Sequence, residues 1–122
     1  MTFRRGDIVL VHYPFSSGIG GSRRPALVVQ NDIYNSRILN TVVAQITTNL
    51  ARANDPAHHV IRIVTAEGRQ SGLLHDCLIS CINLATVLAN RIDRVIGHLP
   101  DDSMRKIDSC LAVSLDLAGK SI

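Results

Sequence analysis

Arg23 and Arg24 stand side by side at the mouth of the apolar run Pro25-Ala26-Leu27-Val28-Val29, directly behind the glycine-rich stretch Gly18-Ile19-Gly20-Gly21-Ser22. Proline fixes the backbone at a strand entry, where a missing N–H costs least, and the apolar run anchors that entry in a core. A guanidinium held on a rigid strand and faced by a flexible loop presents a fixed positive charge whose fork matches the oxygens of a phosphate. The same arginine could instead close a surface salt bridge at a strand end, the commoner use of this residue. A second polar cluster, Thr47-Thr48-Asn49, closes another apolar run. A hydroxyl there can donate to a phosphate oxygen or orient an attacking hydroxyl, although threonine is also an ordinary strand former.

Five histidines supply side chains that titrate near neutrality and so could move protons. His12 is the most interesting of them, because it ends the first apolar run just before the loop that faces Arg24. His58 and His59 open a later strand, where one could point toward a bound ligand, and His75 and His98 sit at turns. Each could equally be a packed or solvated imidazole. Asn83 could read a base edge from a strand or serve as a packed edge-strand amide, and Asp76 suits bracing an arginine or a turn. His75, Cys77 and Cys81 do not make a metal site: the i, i+4 thiols lack finger spacing, and no second pair follows.

These residues need a β scaffold to position them, and the chain provides one. Ile8 to Tyr13 reads as a first strand ending at Pro14, followed by a long Ser- and Gly-rich loop from Phe15 to Ser22 that is expected to be functional. Ala26 to Gln30 is a second strand, and Asn31 to Ser36 a turn or short helical piece. Leu39 to Ile46 is a third strand, Leu50 to Ala57 a loop, and His58 to Val64 a fourth strand. Glu67 to Ser71 reads as a turn. Cys77 to Leu84 is a fifth strand, which Thr86 to Ala89 continues after a bend, and Arg91 to Ile96 is the last, closed by Gly97. The period then changes. Pro100-Asp101-Asp102-Ser103 starts a helix, Met104, Ile107, Leu111, Leu115 and Ala118 recur at helical spacing, and Gly119 suits a terminator. Short strands with Gly/Pro turns followed by one amphipathic helix suggest a small barrel or strongly curved sheet.

With 122 residues the chain is expected to form a single domain over 1–122, and with 3% aromatic residues its core must be aliphatic. Eleven of its thirteen basic residues are arginine, which tilts the formal charge of +3 toward an anionic partner such as nucleic acid. No apolar stretch reaches the ~20 residues that span a bilayer. The start lacks the apolar region of a signal peptide, and three unpaired-looking cysteines suit a reducing cytoplasm.

Taken in order, Gly6-Asp7-Ile8-Val9, Pro14-Phe15, Arg24-Pro25-Ala26-Leu27-Val28, Ile46-Thr47-Thr48-Asn49 and Ile96-Gly97-His98-Leu99, with the terminal helix behind them, resemble the MazF/PemK family of type II toxin–antitoxin ribonucleases. The resemblance covers nearly the whole chain. It implies an SH3-like barrel with a C-terminal helix, a fold shared with the gyrase poison CcdB, and a homodimer. It also implies cleavage of single-stranded RNA at short sequences without a metal or other cofactor, and a cognate antitoxin that wraps across the RNA groove. Arg24 matches the family's catalytic arginine and Thr47 its active-site threonine, with His12 as the expected proton-transfer group. Arg23, Ser17, Gly21, Ser22, Thr48, Asn49, His58 and Asn83 are the expected RNA-binding residues. The chain departs from the family pattern at two places. Ile82 stands where many relatives carry an acid, and a common Glu-Gln pair is absent from the first long loop. A gyrase-type poison on the same fold, or a relative that binds RNA or antitoxin without cutting, are the alternatives.

Overall fold

The computed structural model describes residues 2–12 and 23–117. Six strands, β1 (Asp7–His12), β2 (Arg23–Val28), β3 (Asn40–Thr47), β4 (His58–Ile61), β5 (Cys77–Leu88) and β6 (Ile92–His98), form one antiparallel sheet in the order β4-β5-β3-β2-β1-β6. Alternation along each strand divides the apolar side chains between two clusters. Ile8, Leu27, Ala44, Ile46, Ile61 and Ile79 meet on one face, and Val9, Val11, Ala26, Val28 and Val43 on the other. Val87 of β5 and Ile92 of β6 join the second cluster although three strands stand between theirs, and a single 3-10 turn over Ala89–Arg91 links them. A flat sheet could not bring them together, so the sheet curls toward a barrel, with β4 and β6 as its edges. The mainly β plan with a C-terminal helix is the one expected from the sequence.

Helix α3 (Asp101–Leu115) covers the first cluster, adding Met104, Ile107 and Cys110. It stops sooner than its apolar spacing suggests. Asp116 adopts the left-handed conformation at φ 55° and returns its N–H to the carbonyls of Ala112 and Val113, ending the helix at Leu115, while Ala118 and the expected terminator Gly119 lie outside the described residues. At the other end of the chain the buried carboxylate of Asp7 accepts from the Arg4 backbone N–H at 2.9 Å and pairs with His98 Nδ1 at 2.7 Å, tying β1 to β6.

Asn31 to Ser36 holds a one-turn helix, α1 (Asp32–Asn35), capped by the Asn31 side chain. The segment expected as a turn at Glu67–Ser71 is a helix, α2 (Ala66–Ser71). Thr65 caps it by accepting from the Gly68 N–H at 3.0 Å, and Gly72 ends it at φ 73°. Six residues are too few to leave a periodic signal, and contact with β6 holds the helix in place. A Cβ on Gly97 would stand 2.1 Å from the Ser71 carbonyl oxygen. Because that oxygen belongs to backbone, Gly97→Ala is expected to push α2 off the sheet and destabilise the protein by about 1–3 kcal/mol, read as a lower midpoint in urea.

All three cysteines are buried free thiols, and burial raises the pKa of Cys77. None of the described helices is long and apolar enough to cross a membrane.

Candidate nucleic-acid interface

Strand register decides which polar side chains share a face. Arg24 lies opposite Val11 and two residues before Ala26, which pairs with Gln45 of β3. Alternation therefore puts Arg24, Ala26, Gln45 and Thr47 on one face. Across the sheet, Thr47 pairs with Leu78, Gln45 with Ser80, and Ser80 with His58. A polar row, Gln45, Ser80 and His58, thus runs from β3 through β5 to the edge strand β4 along the face that Arg24 shares. A cavity of about 240 Å³ opens into this row, lined by Gln45, Thr47, Asn49, Ala51, Arg52, His58, Leu78, Ser80 and Asn83.

The strand ends supply a guanidinium and a hydroxyl, groups able to donate to phosphate oxygens. Arg24 is exposed, and its guanidinium makes no ion pair with a described residue. Thr47 Oγ1 accepts from the Asn49 backbone N–H at 3.1 Å, which leaves its own hydrogen free to donate. Asn49 in turn accepts from the Ala51 N–H at 2.9 Å, so the turn behind β3 is held by its own side chains.

The cavity floor is a hydrogen-bonded chain. His58, whose side chain is 1% exposed, places Nε2 3.0 Å from Ser80 Oγ, and Asn83 Nδ2 donates to the same oxygen at 2.9 Å. The Asp55 carboxylate lies 3.5 Å from His58 Nδ1. Nδ1 is the one buried side-chain N or O atom among the described residues without a hydrogen bond. The Ala57 backbone N–H, donating to Asp55 at 2.8 Å, is the main cause that holds the Asp55 carboxyl below its ordinary pKa, with a smaller contribution from His58. A β-bulge makes this arrangement possible. Ala44 pairs with Leu84 but Gln45 with Ser80, so Cys81, Ile82 and Asn83 are looped out of the ladder and Asn83 can turn back onto Ser80.

Of the residues expected to act, Thr47, Asn49, His58 and Asn83 meet at this cavity, with Arg24 on the same face. His12 does not join them. It pairs with Arg23, so alternation faces it to the side opposite Arg24, away from Thr47. Arg23 is committed to Asp93 at 2.5 Å. Thr48 faces a separate apolar pocket with Leu10, Pro25, Leu73, His75 and Ile96. Ser17, Gly21 and Ser22 lie outside the described residues. Ile82, in the place of the expected acid, is 48% exposed in the bulge. Asp76 braces both an arginine and a turn, receiving Arg62 at 3.2 Å and the Ile63 N–H at 2.9 Å.

Sequence reasoning missed Gln45, Arg52, Ser80 and Asp55. Gln45 carries a signal, a lone amide inside an apolar strand. Ser80 and Asp55 carry none, since their roles depend on contacts set by the β4–β5 register.

Residues 4–115 match the family described as PemK-like, MazF-like toxin of type II toxin–antitoxin systems. The chain is 33% identical over 118 residues to Endoribonuclease EndoA of Bacillus subtilis strain 168, covering 96% of this chain and 97% of that protein. Its fold is similar to that of an endoribonuclease solved in complex with its cognate antitoxin from a mycobacterial species, with a TM-score of 0.77, 21% identity and coverage of 97% and 99% of the two chains. It is also similar to MazF in a MazE–MazF structure from Deinococcus radiodurans, with a TM-score of 0.73, 18% identity and coverage of 97% and 100%.

Proposed function

The chain belongs to the PemK-like, MazF-like toxin family of type II toxin–antitoxin systems, and from that premise we propose that it is a cytoplasmic endoribonuclease toxin. It cuts single-stranded RNA at a short sequence, halts translation and growth, and is held in check by a cognate antitoxin. It works as a homodimer without a metal or other cofactor. In this reading the 2′-hydroxyl attacks the adjacent phosphorus, and the residues at the strand ends stabilise the negative charge that develops there. Preorganised donors aimed at such charge are usually the largest single contribution to catalysis.

The observation that carries the proposal is the placement of a guanidinium that forms no ion pair with a described residue and a hydroxyl with its hydrogen left to donate, Arg24 and Thr47, on one face of neighbouring strands. Arg24 has too high a pKa to be a ready proton donor, so its role is electrostatic. Gln45, Asn49 and Asn83 then offer amides to the edges of bases near the cut, and Arg52 adds positive charge at the cavity. His12 has no part in this arrangement.

The test is incubation of the purified protein, with EDTA present, with a long RNA of known sequence, followed by mapping of the new ends. Cuts at one recurring short sequence, leaving 5′-hydroxyl and 2′,3′-cyclic phosphate ends and abolished by the antitoxin, are expected. Intact RNA accompanied by salt-sensitive binding would instead identify a non-cutting relative, and inhibition of supercoiling a gyrase poison.

A further inference from the structure

We propose that Ser80, backed by His58 and Asp55, takes the proton from the attacking 2′-hydroxyl and so replaces the acid missing at Ile82; the inference rests on the reading of the chain as an endoribonuclease. Three observations meet here. A buried imidazole has a carboxylate on the Nδ1 side at 3.5 Å and a serine hydroxyl on the Nε2 side at 3.0 Å. This order of carboxylate, imidazole and hydroxyl is the one by which a base is oriented behind a hydroxyl, recognised by geometry and not by place in the sequence. The chain borders the cavity that Thr47 also lines. The long Asp55–His58 separation fits a site without substrate, because such contacts commonly tighten only when substrate is bound.

Hydrogen-bond valence fixes the direction of transfer. With Asp55 beside Nδ1, the imidazole keeps its hydrogen there and offers Nε2 as an acceptor to the Ser80 hydroxyl. A serine oxygen has one hydrogen and two lone pairs. Asn83 Nδ2 fills one lone pair at 2.9 Å, and the other is left for an incoming 2′-hydroxyl. Ser80 and Thr47 are diagonal neighbours across β3 and β5, since Ser80 pairs with Gln45. Such neighbours stand about 7–8 Å apart, a span that one ribose and its phosphate bridge.

In the reaction the 2′-oxygen forms its bond to phosphorus as its proton passes to Ser80 Oγ, and the proton of Ser80 passes to His58 Nε2. The P–O5′ bond breaks with its electron pair on O5′, which takes a proton from water. The hydroxide left behind removes the extra proton from His58. No proton is gained or lost overall, and the products are a 2′,3′-cyclic phosphate and a 5′-hydroxyl. Arg52, the charged side chain lining the cavity, favours the developing alkoxide. Asp55 acts as a positioning residue.

The test is single-turnover and steady-state cleavage of a short RNA by the wild type, His58→Gln, Ser80→Ala, Ser80→Thr and the double variant Ser80→Ala/His58→Gln. Each substrate is made with a normal 5′ oxygen and with a 5′-bridging sulfur at the cut site. Glutamine keeps a polar group against Ser80 but takes no proton. The expected result is a fall in kcat of about 10²–10⁴-fold for His58→Gln and Ser80→Ala, with KM changed less than threefold. The double variant is expected to be no slower than either single one, Ser80→Thr to recover activity, and the loss to be the same for both leaving groups. An unchanged kcat, a loss confined to KM, or losses that multiply in the double variant would overturn the relay. So would restoration by the sulfur leaving group, which would make the chain an acid. Should His58→Gln not fold by its thermal melt, the Ser80→Ala and Ser80→Thr pair decides the question alone. A wild type that cuts while every variant cuts equally removes only the relay. A wild type that leaves RNA whole removes the endoribonuclease reading with it.

Discussion

Replacing Arg24 by alanine is expected to lower kcat/KM for RNA cleavage by about 10³-fold, or about 4 kcal/mol of transition-state stabilisation, and to leave the melting temperature unchanged. The size follows from what the side chain faces. Its guanidinium is exposed and forms no ion pair with a described residue, so removing it breaks no ion pair among the described residues. Charge spread over the oxygens of a pentavalent phosphorus needs a planar, two-pronged donor, and Thr47 alone provides one hydrogen bond. Arg24→Lys should recover only part of the rate, because an ammonium restores the charge but not the fork. Arg23 is the internal control. It is already paired with Asp93 at 2.5 Å, on the opposite face by alternation. Arg23→Ala is therefore expected to change kcat/KM less than about tenfold and stability by at most about 1 kcal/mol, the range of an exposed pair. Equal losses in the two variants, measured on one RNA under single-turnover conditions, would remove Arg24 from the phosphate site.

The difference between these two adjacent arginines marks how far the sequence could be read. Apolar runs such as Ile8–Val11 and Ala26–Val29 state the strands openly, because each must bury side chains on both faces of a curled sheet. The positions of Arg24 and Thr47 at the strand ends were legible for the same reason: each stands at the end of such a run, where a polar side chain has no place in the core. Face was not legible beyond the strand carrying each residue. His12 ends β1 one position beyond Val11, the partner of Arg24, and that change of parity sends it away from Arg24. The chain Asp55–His58–Ser80–Asn83 was hidden more deeply. His58 and Ser80 are 22 residues apart, and they meet only because β4 and β5 pair in one register and a bulge turns Asn83 back. Helix α2 escaped notice because glycine contacts, at Gly68 and Gly97, hold it against the backbone where an apolar stripe normally would. The acid expected near Ile82 is missing from the sequence, while the group proposed to replace it lies two residues earlier on the strand and depends on a partner in another.

Ile107→Ala is expected to cost the most stability of any substitution considered, about 2–5 kcal/mol, against a total of about 5–15 kcal/mol for a domain. Ile107 is fully buried and sits between Met104 and Cys110 on the stripe of α3 that covers Leu99 and the isoleucines of the sheet. Truncation leaves a cavity, because the sheet beneath is fixed by its ladder and cannot collapse into it. Two polar contacts among the described residues anchor the helix in the same region: Asp108 pairs with Arg5 at 2.6 Å, and Ser114 Oγ donates to the Cys81 carbonyl at 2.7 Å, which ties it to the bulged part of β5. A fall in melting temperature of about 10 °C or more is expected, whereas Leu115→Ala, at a side chain 53% exposed, should stay within about 0.5 kcal/mol. The site gives the prediction a second edge. α3 presses on β4 and β5 from the face opposite the cavity, so Ile79 and Ile61 carry its load while Ser80 and His58 look the other way. If the helix only seats these strands, Ile107→Ala should keep its kcat below its new melting transition and lose activity in step with unfolding. If kcat falls while circular dichroism still reports an intact fold, the register that brings His58 to Ser80 is held by α3 as well as by the ladder.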